Sequence, residues 1–183
     1  MTFLIIVIVV AVVLILGVVL YNGLVRKRNQ VDNAWSQIDV QLKRRLDLIP
    51  NLVETVKGYA SHERQTLEAV ITARNTALAA PSQPAAQASA DNLVSGALRQ
   101  LFALSEAYPD LKANQNFRDL QEELTATESR VAYARQFYND SVLSYHNSLD
   151  TFPSLLVARI GGFQRREFFE AEAAAQNPPS VSF

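Results

Sequence analysis

The sequence predicts an all-α protein: an N-terminal transmembrane helix followed by a helical bundle of about four long antiparallel helices. Three observations predict it. An unbroken apolar run opens the chain, apolar residues beyond it recur at alternating steps of three and four, and the six Gly and seven Pro include several that cluster in short segments, leaving long stretches free of breakers. A length of 183 residues suits one domain plus an anchor.

The anchor comes first. From Phe3 to Leu20 all 18 residues are apolar, 16 of them Phe, Leu, Ile or Val. At about 1.5 Å per residue the run covers about 27 Å, close to the hydrocarbon thickness of a bilayer. Residues 3–21 are therefore expected to span, leaving residues 1–2 as a short external N-terminus. A cleaved signal peptide needs a basic n-region, a shorter run and a small-residue cleavage site, and this segment has none of them. Arg26, Lys27 and Arg28 follow the run while Met1 and Thr2 carry no side-chain charge. By the positive-inside bias, the N-terminus is expected outside and the domain in the cytoplasm.

Residues 22–151 are expected to form the bundle, with helices over about 22–48, 50–79, 90–107 and 112–150. The first two share a stripe through Val31, Trp35, Ile38, Leu42, Leu46, Ile49, Val53 and Val56, which Leu67, Val70, Ile71, Arg74 and Leu78 continue. Pro50 interrupts the stripe without a polar loop, so the chain either kinks there or turns with Pro opening a second helix. Residues 81–89, with Pro81, Pro84 and several Ala, Ser and Gln, read as a low-complexity linker. Leu93, Val94, Leu98 and Leu101 mark the third helix, which stops before Tyr108-Pro109. Phe117, Leu120, Leu124, Val131, Tyr138, Val142, Tyr145 and Leu149 mark the fourth. Residues 152–175 form an apolar and basic C-terminal segment, and 176–183, with Pro178 and Pro179, an extended tail.

The composition excludes several chemistries. A net charge of −1 supplies no basic footprint for nucleic acid, and the absence of Cys removes thiolate metal sites, thiol nucleophiles and disulfides. His62-Glu63 resembles the start of a zinc-protease helix, but Thr66 stands where the second His belongs. His146 is the only other histidine, and Gly161-Gly162 lacks the Lys-Ser/Thr of a phosphate loop. No catalytic, cofactor-binding or metal residue is assigned, no small-molecule substrate is expected, and the chain does not read as an enzyme. Asn33, Asn51, Glu54, Glu128, Arg130, Arg135 and Asn139 lie near apolar stripes. Buried polar groups must be paired, so these residues either fix the register of packed helices or line a ligand site between them.

The run Asn33-Ala34-Trp35-Ser36-Gln37-Ile38-Asp39, then Asp47-Leu48-Ile49-Pro50-Asn51-Leu52-Val53, Lys57-Gly58-Tyr59-Ala60, Tyr108-Pro109, Leu120-Gln121-Glu122-Glu123-Leu124, Tyr133-Ala134-Arg135, Tyr138-Asn139, Phe152-Pro153 and Gly162-Phe163 resembles the LemA family. The resemblance runs from anchor to tail and implies a bundle of about four helices on a membrane anchor, with the domain inside and no catalytic residues to transfer. The family pattern would place Asn at His146. Its compact bundle favours a turn at Pro50, and the turn is the reading adopted. It would deliver Phe152 to Phe169 back to the bilayer, where Arg159, Arg165 and Arg166 would meet anionic headgroups.

The expected function is a non-catalytic scaffold that self-associates at the membrane, in membrane organisation or remodelling. The alternative is an adaptor or regulator of another membrane protein, such as a membrane protease in envelope stress. The expected partners are the bilayer through residues 3–21, further copies of the chain, and a membrane protein.

Overall fold

A computed structural model of the chain describes residues 1–169, all of whose regular elements are helices: α1 (Thr2–Lys57), α2 (Arg64–Ala79), α3 (Pro84–Ser105), α4 (Pro109–Ala113), α5 (Gln115–Asp150) and α6 (Ser154–Ile160). The tail at 176–183 and the end of the C-terminal segment lie outside the described residues. Two compact units are distinguished. Of the described residues, the first comprises 1–36 and 136–167, the second 37–135 with Phe168 and Phe169.

The expected turn at Pro50 is not there. Pro50 lies inside a single 56-residue helix, and the chain reverses at residues 58–63 instead. A proline has no N–H, so the carbonyl four residues earlier loses its helical partner. That carbonyl belongs to Leu46, and Arg74 on α2 donates Nε–H to it at 2.9 Å. Pro50 itself is exposed, its ring turned away from the core. The helix then ends with Tyr59 and Ala60 both donating N–H to the Val56 carbonyl, and Gly58 opens the turn.

Two further boundaries move. The expected 81–89 linker shrinks to Pro81, Ser82 and Gln83, because α3 already starts at Pro84. Proline at the first helical position gives up an N–H that would have had no partner, and the alanines after it are the best helix formers. The Gln87 amide closes the short turn by donating to the Ala80 and Pro81 carbonyls. The expected 112–150 helix is split by Asn114, whose extended backbone separates α4 from α5. Its side-chain oxygen accepts the Phe117 N–H at 3.0 Å and caps α5.

In the second unit, Leu46, Ile49, Leu52 and Val56 of α1 pack with Leu67 and Val70 of α2, Val94, Leu98 and Leu101 of α3, Leu111 of α4 and Phe117 and Leu124 of α5. The stripe on α2 is rotated from the expected one: Ala73 and Ala77 are buried while Ile71 and Leu78 are exposed. In the first unit, Leu24, Val31 and Ala34 of α1 are buried, as are Tyr138, Val142, Tyr145 and Leu149 of α5. The two helices run antiparallel there, since Lys27 reaches Ser144 and Trp35 meets the Tyr138 ring at 5.5 Å. Trp35 is half-buried against that ring, its neighbours Val31 and Ala34 being the fully packed positions.

Replacing Arg74 by Ala is expected to lower stability by about 1–3 kcal/mol, the cost of leaving a buried acceptor unpaired. In a Pro50→Ala background, where residue 50 donates to Leu46 again, the same replacement should cost clearly less. Urea unfolding of the four proteins of this cycle measures the coupling; equal costs in both backgrounds would rule the capping role out.

Candidate functional site

The candidate site is where α1 leaves its apolar run. Every side chain from Phe3 to Leu16 is exposed, and α1 is long and apolar enough to cross a membrane. Below that run, Tyr21, Lys27 and Arg28 meet the returning chain. Tyr21 stacks edge-on against Phe163 with ring centroids 5.3 Å apart, and the Arg28 guanidinium lies 5.6 Å from the centroid of the same ring. Lys27 donates to the carbonyl and hydroxyl oxygens of Ser144.

Phe163 is brought there by the glycine pair. Gly162 has φ +66, the left-handed backbone that favours glycine, and the Phe163 N–H returns to the Ala158 carbonyl at 3.1 Å. This is the hydrogen bond that closes a helix end of this kind. At Gly161 a Cβ would come within 2.7 Å of the Phe163 ring, so any side chain there displaces the ring from Tyr21. Gly161-Gly162 thus shapes a turn.

After the turn, residues 163–167 form a strap along α5. Three side chains hold its backbone: Tyr145 donates its hydroxyl to the Gln164 carbonyl at 3.0 Å, Tyr138 to the Glu167 carbonyl at 2.8 Å, and His146 Nε2 accepts the Arg166 N–H at 3.0 Å. Residues 138, 145 and 146 share one side of a helix, which is why a single extended segment meets all three. Burial raises both tyrosine pKa values, keeping the hydroxyls as donors. Burial, with the Arg165 guanidinium next, pushes His146 below the usual histidine range. Of the arginines expected at headgroups, Arg165 pairs with Asp150 and Arg166 with Asp32 at 2.9 Å. Only Arg159 has no ion pair among the described residues.

The second unit holds a buried charge cluster. Arg45 on α1 donates to Asp91 at 2.7 Å and to Ser95 at 2.9 Å on α3, and both members of the pair have 3% exposed side chains. Glu128 on α5 lies 3.8 Å from Arg45, and Arg135 3.4 Å from Asp91. Two of the polar residues singled out in the sequence, Glu128 and Arg135, thus enter the cluster. Asn33, Asn51, Glu54 and Arg130 are exposed, and Asn139 is half-buried. Sequence reasoning missed Arg45 and Asp91, although each sits on a stripe: Ile38, Leu42, Arg45, Ile49 on one helix and Asp91, Val94, Leu98, Leu101 on the other. Opposite charges on two apolar stripes were the available signal. A cavity of about 90 Å³ beside Arg45, lined also by Ser95, Arg99 and Glu128, borders the cluster.

His62 is exposed in the α1–α2 turn, and Glu63 accepts the Tyr108 hydroxyl at 2.9 Å, a bond that raises the Tyr108 pKa. No group of three metal-ligating side chains occurs among the described residues.

A family model described as the LemA family matches residues 34–183. The chain belongs to the LemA family. Among similar proteins, the magnetosome protein MamQ of Magnetospirillum gryphiswaldense is 24% identical over an alignment covering 86% of this chain and 67% of that protein. Magnetosome protein MamQ 2 of Paramagnetospirillum magneticum matches with the same identity and coverage. A protein LemA of Metamycoplasma hominis is 28% identical, covering 75% of this chain and 63% of the relative. The LemA match takes in the second half of α1, the charge cluster and the strap, while the apolar run lies before it.

Two outcomes follow. Asp91→Ala removes the buried partner of Arg45, leaving it only Ser95 and the exposed Glu128, and is expected to cost about 3–5 kcal/mol, whereas a joint Arg45→Met and Asp91→Leu replacement should recover most of it, measured by thermal unfolding. For the strap, a folded-state His146 pKa below the unfolded value means full stability above about pH 6.5 and progressive loss as pH falls below it. A protonated imidazole cannot accept the Arg166 N–H, so exchange of that amide should speed up in this window beyond its intrinsic pH dependence. In His146→Gln, which retains an acceptor that does not titrate, the extra acceleration should vanish.

Proposed function

We propose that this LemA-family chain is a single-pass membrane protein of the cell membrane, with its N-terminus outside and its helical domain in the cytoplasm. Its role in this reading is a non-catalytic scaffold that self-associates at the membrane and helps to organise it. The observation that carries it is the continuity of α1: one helix supplies both the apolar run and the first core stripe of the domain. A helix that leaves the apolar run already packed along α5 ties the folded domain to its anchor, as a scaffold requires. The asymmetry of charge across the run, with Arg26, Lys27 and Arg28 on one side only, supports the orientation.

Self-association is supported by apolar side chains that the fold leaves outside. Phe137 and Leu143 on α5 are exposed in the first unit, and Val40 and Tyr133 in the second. Each unit therefore offers large apolar side chains to further copies of the chain. Relatives named as magnetosome proteins support a membrane-organising role.

The chain contains no cysteine, so single cysteines report topology directly. In intact cells, Thr2→Cys should react with a membrane-impermeant thiol reagent and Ser61→Cys, in the exposed α1–α2 turn, should not; the reverse pattern overturns the orientation. Light scattering of the detergent-solubilised full-length protein should show an assembly of several copies. A monomer would favour an adaptor that docks on another membrane protein.

A further inference from the structure

The turn after α5 and the short helix α6 carry apolar side chains that the other described residues leave uncovered. Leu156 is 52% exposed and Ile160 89%, and their spacing of four places them on one side of α6; Phe152, in the turn just before the helix, is 76% exposed. The other side is packed: Ala158 is buried, and Leu155 and Val157 are half-buried. Arg159, next to Ile160, is exposed and has no ion pair among the described residues, while Arg165 and Arg166 are held by Asp150 and Asp32. The position of this face is set by Phe163, one turn beyond Arg159 and Ile160, whose ring meets Tyr21 at 5.3 Å. Tyr21 is the first residue after the apolar run of α1. The uncovered face therefore lies at the level where that run ends.

We propose that Phe152, Leu156 and Ile160 form a second membrane contact, inserted at the boundary between headgroups and acyl chains beside the exit of α1, with Arg159 against lipid phosphate. The inference rests on the reading of α1 as a membrane anchor. Continuity selects the occupant: the face adjoins a run that is itself covered by lipid in that reading, and an interfacial segment combines large apolar side chains on one face with a cation that reaches the headgroups. Gly161 and Gly162 acquire a purpose from it, since the turn they make seats Phe163 on Tyr21 and so sets the depth of α6. With two contacts instead of one, the domain is held against rotation about the α1 axis.

The test uses the full-length chain in nanodiscs of phosphatidylcholine and phosphatidylglycerol, with a nitroxide on single cysteines at Leu156, Ile160, Leu14 and Gln136. Collisions with oxygen, which concentrates in lipid, are compared with collisions with a water-soluble nickel complex. Leu14 should read as lipid and Gln136, exposed on α5, as water. Leu156 and Ile160 are expected to show an oxygen-to-nickel ratio several-fold above that of Gln136, and Arg159→Glu should shift Ile160 toward water more strongly in discs containing phosphatidylglycerol than in phosphatidylcholine alone. A water-like Ile160 and Leu156 with a lipid-like Leu14 would overturn the second contact and leave the anchor standing. A water-like Leu14 would overturn both. Low access to both reagents at Leu156 and Ile160 would mean that protein covers the face, and would also overturn the proposal.

Discussion

The hydrogen bond from Arg74 to the Leu46 carbonyl is the constraint on which the path of the chain depends. A proline in mid-helix removes one donor and orphans one acceptor, and an orphaned buried carbonyl favours breaking the helix at that point. Here α2 carries a guanidinium to the orphan, so α1 runs on for two more turns to Lys57. The reversal then falls at residues 58–63, where Gly58 opens a turn and Tyr59 and Ala60 donate N–H to the Val56 carbonyl at the helix end. Placing the break there, with α2 and α3 following, leaves α5 to run antiparallel to α1 and to deliver α6 and the strap beside Tyr21. A simple kink at Pro50 with one helix to residue 79 would have sent α5 the other way.

The two units solve the problem of holding helices together by different means. In the second unit the apolar core is crossed by the Arg45–Asp91 pair, with Glu128 and Arg135 at its edges. Such a pair adds little net stability compared with well-packed apolar residues, but removing one member is costly, so it penalises any packing that separates α1 from α3. In the first unit α1 and α5 are joined only by the short α6 and a strap, too little to bury a large core. Three side-chain hydrogen bonds to the strap backbone and the Arg166–Asp32 ion pair tie its parts together instead. These polar contacts satisfy backbone groups that no ladder or helix would otherwise pair.

Much of this was legible in the sequence because it is periodic. The apolar run, the stripe from Val31 to Val56 and the stripe from Phe117 to Leu149 follow from the helical repeat, and burial agrees at nearly every position, with Trp35 and Leu120 only half-buried. The alanines after Pro84 read as a linker in the sequence because low complexity resembles a loop, although alanine is the strongest helix former. Membership of the LemA family was also carried by local motifs, since residues such as Tyr138, Tyr145 and the Gly161-Gly162 pair keep their places in the chain whatever their contacts.

What the sequence determined alone is the helical class, the spanning length of the apolar run and which faces of α1 and α5 are buried, because each depends on residues within a few turns of one another. The tertiary structure decided whether Pro50 breaks its helix, because the rescuing donor lies 28 positions away on another helix. It decided that Arg45 and Asp91 are partners, since neither charge is tolerable in a core until the other is beside it. It decided, too, that two of the three C-terminal arginines belong to the protein and leave Arg159 outside, because Asp32 and Asp150 come within reach only when the strap folds back along α5.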